Sequence, residues 1–520
     1  MSTNKSIAKF ACVIGIATLC SRILGFIRDI VIARMFGVYV YAQAFVVAFR
    51  IPNLFRDFVG EGAANAAFVP VFTDHHVKHT KEEFWHLANV VLNLLLLVLM
   101  AVTLLGILFS PVIVRLIAPG FISDPYKLET TINLNRIIFP YILLIGLAAY
   151  TTAMLNSLKH FSIPAFAPCL LNISIIACAL LWGEGTKGLA LGILVGGALQ
   201  LAVQIPVLHK MGFRFRFTRD FKHPGAKLIG KLMLPRIFSS SIYQLNNFVD
   251  SIFGSLSTIV GEGGVAVLYY SYRLILFPLG IFSNALSQVI LPTFSTQVAE
   301  SDHDKLKHTL VFGLRATFFI MLPASAAFMA LGRPIVNTLF QGGKFDAYSA
   351  EVTNQALFFY SIGLFAYGAN RIVQSCFFAL KDTVTPAKVS LVSLIMNTIF
   401  CAIFMFPLKI AGLALATSIS GIVSFLILFY ILKKRIGDFS IKYIWVSFLR
   451  CTAASVIMAI VCYFIGTRSV FISGSTMQKA INLIIAIAVG MGTYFLFCFI
   501  FRVQEARELL QWVIKRKKSV

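Results

Sequence analysis

Apolar runs of about twenty residues, parted by short polar or basic breaks, recur along the whole 520-residue chain. Windows able to span a bilayer lie near 8–34, 38–60, 84–110, 131–157, 163–182, 187–209, 228–256, 265–296, 309–331, 351–379, 385–406, 410–432, 443–466 and 479–502. The pattern predicts an all-α polytopic membrane protein with about 14 transmembrane helices.

Composition agrees with this reading. Hydrophobic residues make up 58% and charged residues 13%, where a soluble chain would carry about 25% charged residues. The net charge of +24 would suggest nucleic acid in a soluble protein. Here it marks topology and contact with anionic membrane lipids, and no nucleic-acid partner is expected. Lys5 and Lys9 precede the first apolar run as in a signal peptide, but Arg22 and Arg28 interrupt the run and no clean cleavage site follows. The run is read as the first transmembrane helix, starting in the cytosol. With that orientation the inner segments hold several times as many Lys and Arg as the outer loops, and both termini are cytoplasmic. The nine cysteines all fall in apolar stretches without a CxxC pair, and read as small buried apolar residues.

The chain repeats itself. Phe49-Arg50-Ile51-Pro52-Asn53-Leu54-Phe55, then Val69-Pro70, echoes Tyr272-Arg273-Leu274-Ile275-Leu276-Phe277, then Leu291-Pro292. Leu158-Lys159 with Pro164-Ala165 echoes Leu380-Lys381 with Pro386-Ala387, and Gly188-Leu189-Ala190-Leu191 echoes Gly412-Leu413-Ala414-Leu415. The offsets are 223, 222 and 224 residues. Each covers six predicted helices, an even number, so the copies share one orientation, as in transporters with parallel repeats. The expected domains are an N-lobe over 1–220, a C-lobe over 221–435, and two extra helices with a basic tail over 436–520. A central site between the lobes is the expectation.

Charges within the apolar spans point to what that site holds. Arg22 and Arg28 lie in the first, Arg50 and Arg56 in the second, and Arg273 in a later one. A guanidinium at the bilayer centre costs about 2.5–3.5 kcal/mol even on the lenient insertion scale. Several imply a positive, water-filled interior and an anionic cargo. Arg22 and Asp29 are seven residues apart and predicted to share a helix face, as are Arg50 and Asp57. Gly25 and Pro52 offer places for those helices to bend. Arginine binds phosphate oxygens in a bidentate fork and stays charged, so a pyrophosphate suits this interior and a cationic drug does not.

Asp250, Asn397 and Thr417 offer oxygen ligands at membrane depth for a monovalent cation. Glu61, beside Gly60 and Gly62, reads as interfacial. His75 and His79 have the spacing of metal ligands, but without cysteines and with Lys78 and Lys81 interleaved they read as a solvated loop. No metal site is expected. The chain has no G-x-x-x-x-G-K-[ST] motif and so no phosphate-binding loop of that kind. The scattered Asp302, Asp304, Glu82 and Glu83 do not form the carboxylate cluster a membrane polyprenyl-phosphate transferase would use.

Several of these stretches resemble the MurJ (MviN) family: Ser21-Arg22, Gly25, Arg28-Asp29; Pro52-Asn53-Leu54 with Arg56 and Glu61-Gly62; Phe161-Ser162-Ile163-Pro164-Ala165-Phe166-Ala167-Pro168; Tyr269-Tyr270 with Arg273-Leu274; and Phe340-Gln341 with Gly343-Lys344-Phe345. The resemblance runs nearly end to end. It implies a transporter rather than an enzyme: a lipid II flippase of the multidrug/oligosaccharidyl-lipid/polysaccharide exporter superfamily, in the bacterial inner membrane. Its partners would be lipid II, membrane lipids and proteins of cell-wall synthesis or division. By the resemblance, Arg22, Arg28, Arg56 and Arg273 bind substrate, and Asp250, Asn397 and Thr417 form a sodium site. Membrane potential is the other driving force to be expected. This chain departs from some members at Gln43, Tyr272, Leu276 and Cys401, where they carry acidic residues. A flippase for another polyprenyl-pyrophosphate-linked glycan is the alternative.

Overall fold

A computed structural model describes residues 3–56, 67–183, 185–218, 220, 222–468, 470–508 and 511. The described residues are almost wholly helical, with one isolated bridge, Gly342 to Phe345, and no strand. The chain divides into two compact units, Met1–Thr258 and Ile259–Val520.

The first unit holds α1 (Thr3–Phe36), α2 (Val40–Arg56), α3 (Val69–Lys78), α4 (Lys81–Leu108), α5 (Ser110–Ile117), α6 (Pro125–Ile138), α7 (Tyr141–Ser157), α8 (Ser162–Trp182), α9 (Lys187–Ala202), α10 (Ile205–Lys210) and α11 (Pro224–Gly254). Short α12 (Ser257–Val260) carries the chain onward. The second unit holds α13 (Gly264–Pro278), α14 (Asn284–Ala299), α15 (His303–Leu339), α16 (Ala347–Ile362), α17 (Leu364–Ala379), α18 (Val384–Ile436), α19 (Ile441–Gly466), α20 (Val470–Ser473) and α21 (Thr476–Ile500).

Nine described spans are long and apolar enough to cross a membrane, ten if α16 and α17, bent by 43° at Gly363, count as one. That measure, taken over the described residues, does not count every one of the fourteen expected spans. The 53-residue α18 covers the expected spans 385–406 and 410–432, and Lys409 breaks it with φ 53° and ψ −132° just after Pro407. Helices α1, α2 and α11 cover three more expected spans, and each contains or borders residues outside the described ones, to which the count is confined. The outward faces of the counted helices, such as Leu104 and Leu108 on α4 and Tyr463 and Phe464 on α19, are exposed apolar surface suited to lipid tails.

Caps fix the ends. Thr80 and Glu83 close a capping box at α4, and Ser475 and Gln478 another at α21. In the first unit Phe68, Phe72, Phe84 and Tyr150 form an aromatic core, and the Tyr150 hydroxyl donates to Ala88 O at 2.6 Å. Helix α11, expected to open the second lobe, packs against α3, α4 and α5 of the first unit. In the second unit α15 packs along α19 and α21, so residues after 436 are built into that unit. Five residues, Leu279–Ser283, take a π-helical turn between α13 and α14.

The repeat is visible in the backbone. Lys159 and Lys381, 222 residues apart, both adopt left-handed φ, 61° and 58°. Both close the same helix-end motif: His160 N–H donates to Leu155 O at 2.8 Å, and Asp382 N–H to Phe377 O at 2.9 Å. Gly188 and Gly412 match as well. A Cβ on Gly188 would stand 2.7 Å from Cys178 O, and one on Gly412 2.2 Å from Phe404 O. Both glycines let a helix cross close to the backbone before it.

Candidate functional site

The most constrained charge in the first unit is Arg28. It is 5% exposed, its neighbour Asp29 2%, and Asn172 on α8 6%. Arg28 Nε and Nη2 donate to Asp29 Oδ1 at 3.1 and 2.7 Å, and Nη1 donates to Asn172 Oδ1 at 3.1 Å. Asn172 Nδ2 in turn donates to Ser21 O at 3.2 Å and Pro168 O at 3.4 Å, tying α8 to α1. Gly25 makes room for this bridge, since a Cβ there would already touch Asn172 at 3.7 Å. A buried guanidinium is tolerated only when paired and hydrogen-bonded, and this arrangement provides both.

Arg22 is exposed, and it is Arg28 that folds back onto Asp29. Face periodicity locates Cα–Cβ directions, whereas a long arginine side chain can double back onto its neighbour. Helix α1 runs through Gly25 without interruption. On α2, Gln43 is buried and Arg50 half-buried. The side chain of Arg56, together with Asp57 and Glu61, lies outside the described residues.

In the second unit Arg273 is half-buried on α13. Its Nη2 donates to the Tyr269 hydroxyl at 2.9 Å, and its guanidinium carbon lies 4.9 Å from the Tyr269 ring centroid. Stacking and hydrogen bonding together hold the planar fork in one orientation.

The break at Lys409 turns the second half of α18 back on the first and brings Thr417 to Asn397. Thr417 Oγ1 donates to Asn397 Oδ1 at 3.4 Å, and Cys401 Sγ to the same oxygen at 3.7 Å. Asn397 is buried, and its Nδ2 has no hydrogen-bond partner among the described residues. Asp250, half-buried on α11, belongs to the first unit.

Arg371, not among the candidates that the sequence singles out, sits half-buried in the middle of α17. Tyr367, Asn370 and Gln374 flank it on one helical face, and Asn370 Nδ2 donates to Ser424 Oγ at 3.2 Å. The signal lay in that polar stripe at helical spacing, masked by the apolar average of the window. All nine cysteines are free, and seven are buried; Cys12 is exposed and Cys20 half-buried, so burial does not extend to every one.

The family model described as lipid II flippase MurJ matches residues 32–488. The probable lipid II flippase MurJ of Buchnera aphidicola subsp. Acyrthosiphon pisum is 34% identical over 487 residues, covering 92% of this chain and 94% of the relative. A solved structure titled lipid II flippase MurJ, inward closed conformation, superposes with TM-score 0.80 at 28% identity, covering 96% of this chain and 100% of the other. An inward-facing multidrug resistance MATE family transporter of the MOP superfamily shares the fold at TM-score 0.63 and 19% identity, over 80% of this chain and 94% of its own.

Proposed function

The chain belongs to the lipid II flippase MurJ family, and on that membership we propose that it moves lipid II from the inner to the outer leaflet of the bacterial cytoplasmic membrane by alternating access. A likeness of 34% identity that covers 92% of this chain, to a relative named as a probable lipid II flippase, carries this reading. The cargo is a pyrophosphate-linked disaccharide peptide on a polyprenyl tail, and its translocation needs no covalent chemistry.

Arg22, Arg28, Arg56 and Arg273 bind the pyrophosphate in this reading. The observation that supports it is chemical. Arg28 is held in a dry setting by Asp29 and Asn172, and Arg273 is oriented by Tyr269. Fixed guanidinium forks lose little freedom when a phosphate arrives. Because Asp29 already accepts two Arg28 bonds, the cargo competes with a carboxylate, which favours release as well as capture.

A monovalent cation at Asn397 and Thr417, with Asp250 as the charged member, is the proposed coupling site, with membrane potential as the other drive. Both termini face the cytoplasm. Cell-wall synthesis or division proteins are the proposed partners.

The test replaces Arg28 or Arg273 with alanine in cells depleted of their native flippase and measures lipid II on the outer leaflet. Loss of export by an inserted variant supports the assignment. Undiminished export by both variants refutes the arginine assignment, and tighter binding of another polyprenyl-pyrophosphate glycan would refute the cargo.

A further inference from the structure

The segment from Met211 to His223 joins the end of the first repeat to the start of the second, and its stretch from Phe213 to Arg216 is strapped down. Its extended stretch runs along α4. Asn89 Nδ2 donates to Arg214 O at 3.1 Å, Arg216 N–H donates to Asn89 Oδ1 at 2.7 Å, and Asn93 Nδ2 donates to Arg216 O at 2.9 Å. Phe213 packs on Trp85, ring centroids 5.7 Å apart.

Beyond the strap four histidines from three segments meet. His75 and His79, one turn apart at the end of α3, stack with centroids 4.2 Å apart. The His223 ring lies 5.8 Å from His75 and 5.9 Å from His86 on α4. His86 Nε2 stands 3.3 Å from Asp220 Oδ2. His223 Nδ1 accepts the Gly225 N–H at 3.1 Å and so caps α11. The rings stack rather than converge, and among the described residues no three His, Cys, Asp or Glu side chains are placed to hold one metal ion.

The cap dictates a charge state. Nδ1 accepts a hydrogen bond only when it carries no proton. A second proton on His223 would turn the acceptor into a donor, remove the cap, and set a cation at the positive end of the α11 dipole. That cation would also stand among the rings of His75, His79 and His86. The acidic groups facing the cluster are already engaged: Asp220 with His86, Asp74 with Lys78 at 2.6 Å, and Glu83 with the α4 cap. His76 turns away onto Phe84, and by sequence Lys81, Glu82, Arg214, Arg216, Arg219, Lys222 and Lys227 are the remaining charged groups of these segments. Burial, with the neighbouring imidazoles, holds both His75 and His223 below the usual histidine range, although Asp220 pulls His223 the other way.

We propose that His75, His79, His86 and His223 form a proton-operated latch on the connector between the repeats. Neutral, the latch holds the connector on the corner made by α3 and α4. Protonated at His223, it lets go. The Lys/Arg distribution assigns this corner to the cytoplasmic side, so the latch makes the connector's mobility follow cytoplasmic pH.

Hydrogen exchange on the full-length protein in lipid nanodiscs tests this, comparing wild type with His223→Asn near pH 7.5 and near pH 5.5. Asparagine caps a helix but does not titrate. Taking the ratio at each pH cancels the chemical exchange rate. Peptides over 211–223 are expected to exchange alike near pH 7.5 and about fivefold faster in wild type near pH 5.5, the effect of one lost cap. A ratio of one at both pH values overturns the proposal, as does an equal wild-type change in α19, which would mean general loosening. Should the asparagine variant fail to insert, His223→Ser supplies a second cap that does not titrate in this range.

Discussion

Stability and transport part company at the Arg28–Asp29 pair, which makes it the most discriminating place to perturb. At 2.7 Å and an effective dielectric of about 20, the direct attraction is about 6 kcal/mol, much of it offset by desolvation. What a single substitution exposes is the partner left behind. Arg28→Met leaves a buried carboxylate, and Asp29→Asn leaves a buried guanidinium that keeps Asn172 and one neutral amide acceptor. Removing one member of a buried pair outright costs about 3–5 kcal/mol; the milder Asn exchange is expected to cost about 2 kcal/mol, the loss of charge from two hydrogen bonds. The double variant Arg28→Met/Asp29→Asn removes both charges and is expected within about 1–2 kcal/mol of wild type. The seven buried cysteines provide the assay, because a thiol-reactive dye reads them as heat unfolds the protein. Outer-leaflet lipid II provides the other. The expected outcome is recovered stability with no recovered export. A double variant as unstable as Arg28→Met would refute the charge argument, and one that exports normally would refute the cargo role of Arg28.

Two further outcomes follow from the second unit and the repeat. Glu505 accepts from Arg315 Nε at 2.7 Å and Ser447 Oγ at 2.6 Å; burial raises its carboxyl pKa, but these bonds outweigh it and leave it below its ordinary 4.5. A depressed carboxylate stabilises above its unfolded value and loses that contribution as pH falls through the folded one, so wild type should melt above Glu505→Gln at neutral pH and converge with it below about pH 4.5; parallel curves would contradict this. Gly412→Ala should destabilise more than Gly188→Ala, because its Cβ would meet backbone at 2.2 rather than 2.7 Å; thermal unfolding in the same dye assay ranks them, and the reverse order would count against close helix crossing as the reason for glycine there.

Apolar periodicity made the helices legible, and three matched segments made the duplication legible, because both are local properties of the chain. Lys159 and Lys381 show why that worked: a helix end with a left-handed residue is written in a few adjacent positions, and the backbone repeats it. The site was only half legible. Arg28 was visible as a charge where charge is expensive, but its partner Asn172 lies 144 residues away, and only the packing of α8 on α1 brings it there. Arg371 was hidden for the opposite reason, since its polar neighbours are spaced by helix turns and dilute into an apolar window.

The repeat also shows what duplication did not copy. At an offset of 223 residues, Arg28 and Asp29 correspond to Ser251 and Ile252, while Arg50 corresponds to Arg273. The scaffold motifs survive in both copies: the left-handed lysine and the close-packed glycine. The buried ion pair survives in one. A duplicated fold needs both copies of its backbone devices to pack, because each repeat must close its own helix ends and cross its own helices. A ligand site has no such requirement, since a single anion needs its guanidinium forks gathered around one place rather than one identical set from each repeat. Asymmetric charge on a symmetric scaffold is therefore what selection for a single anionic cargo would leave behind.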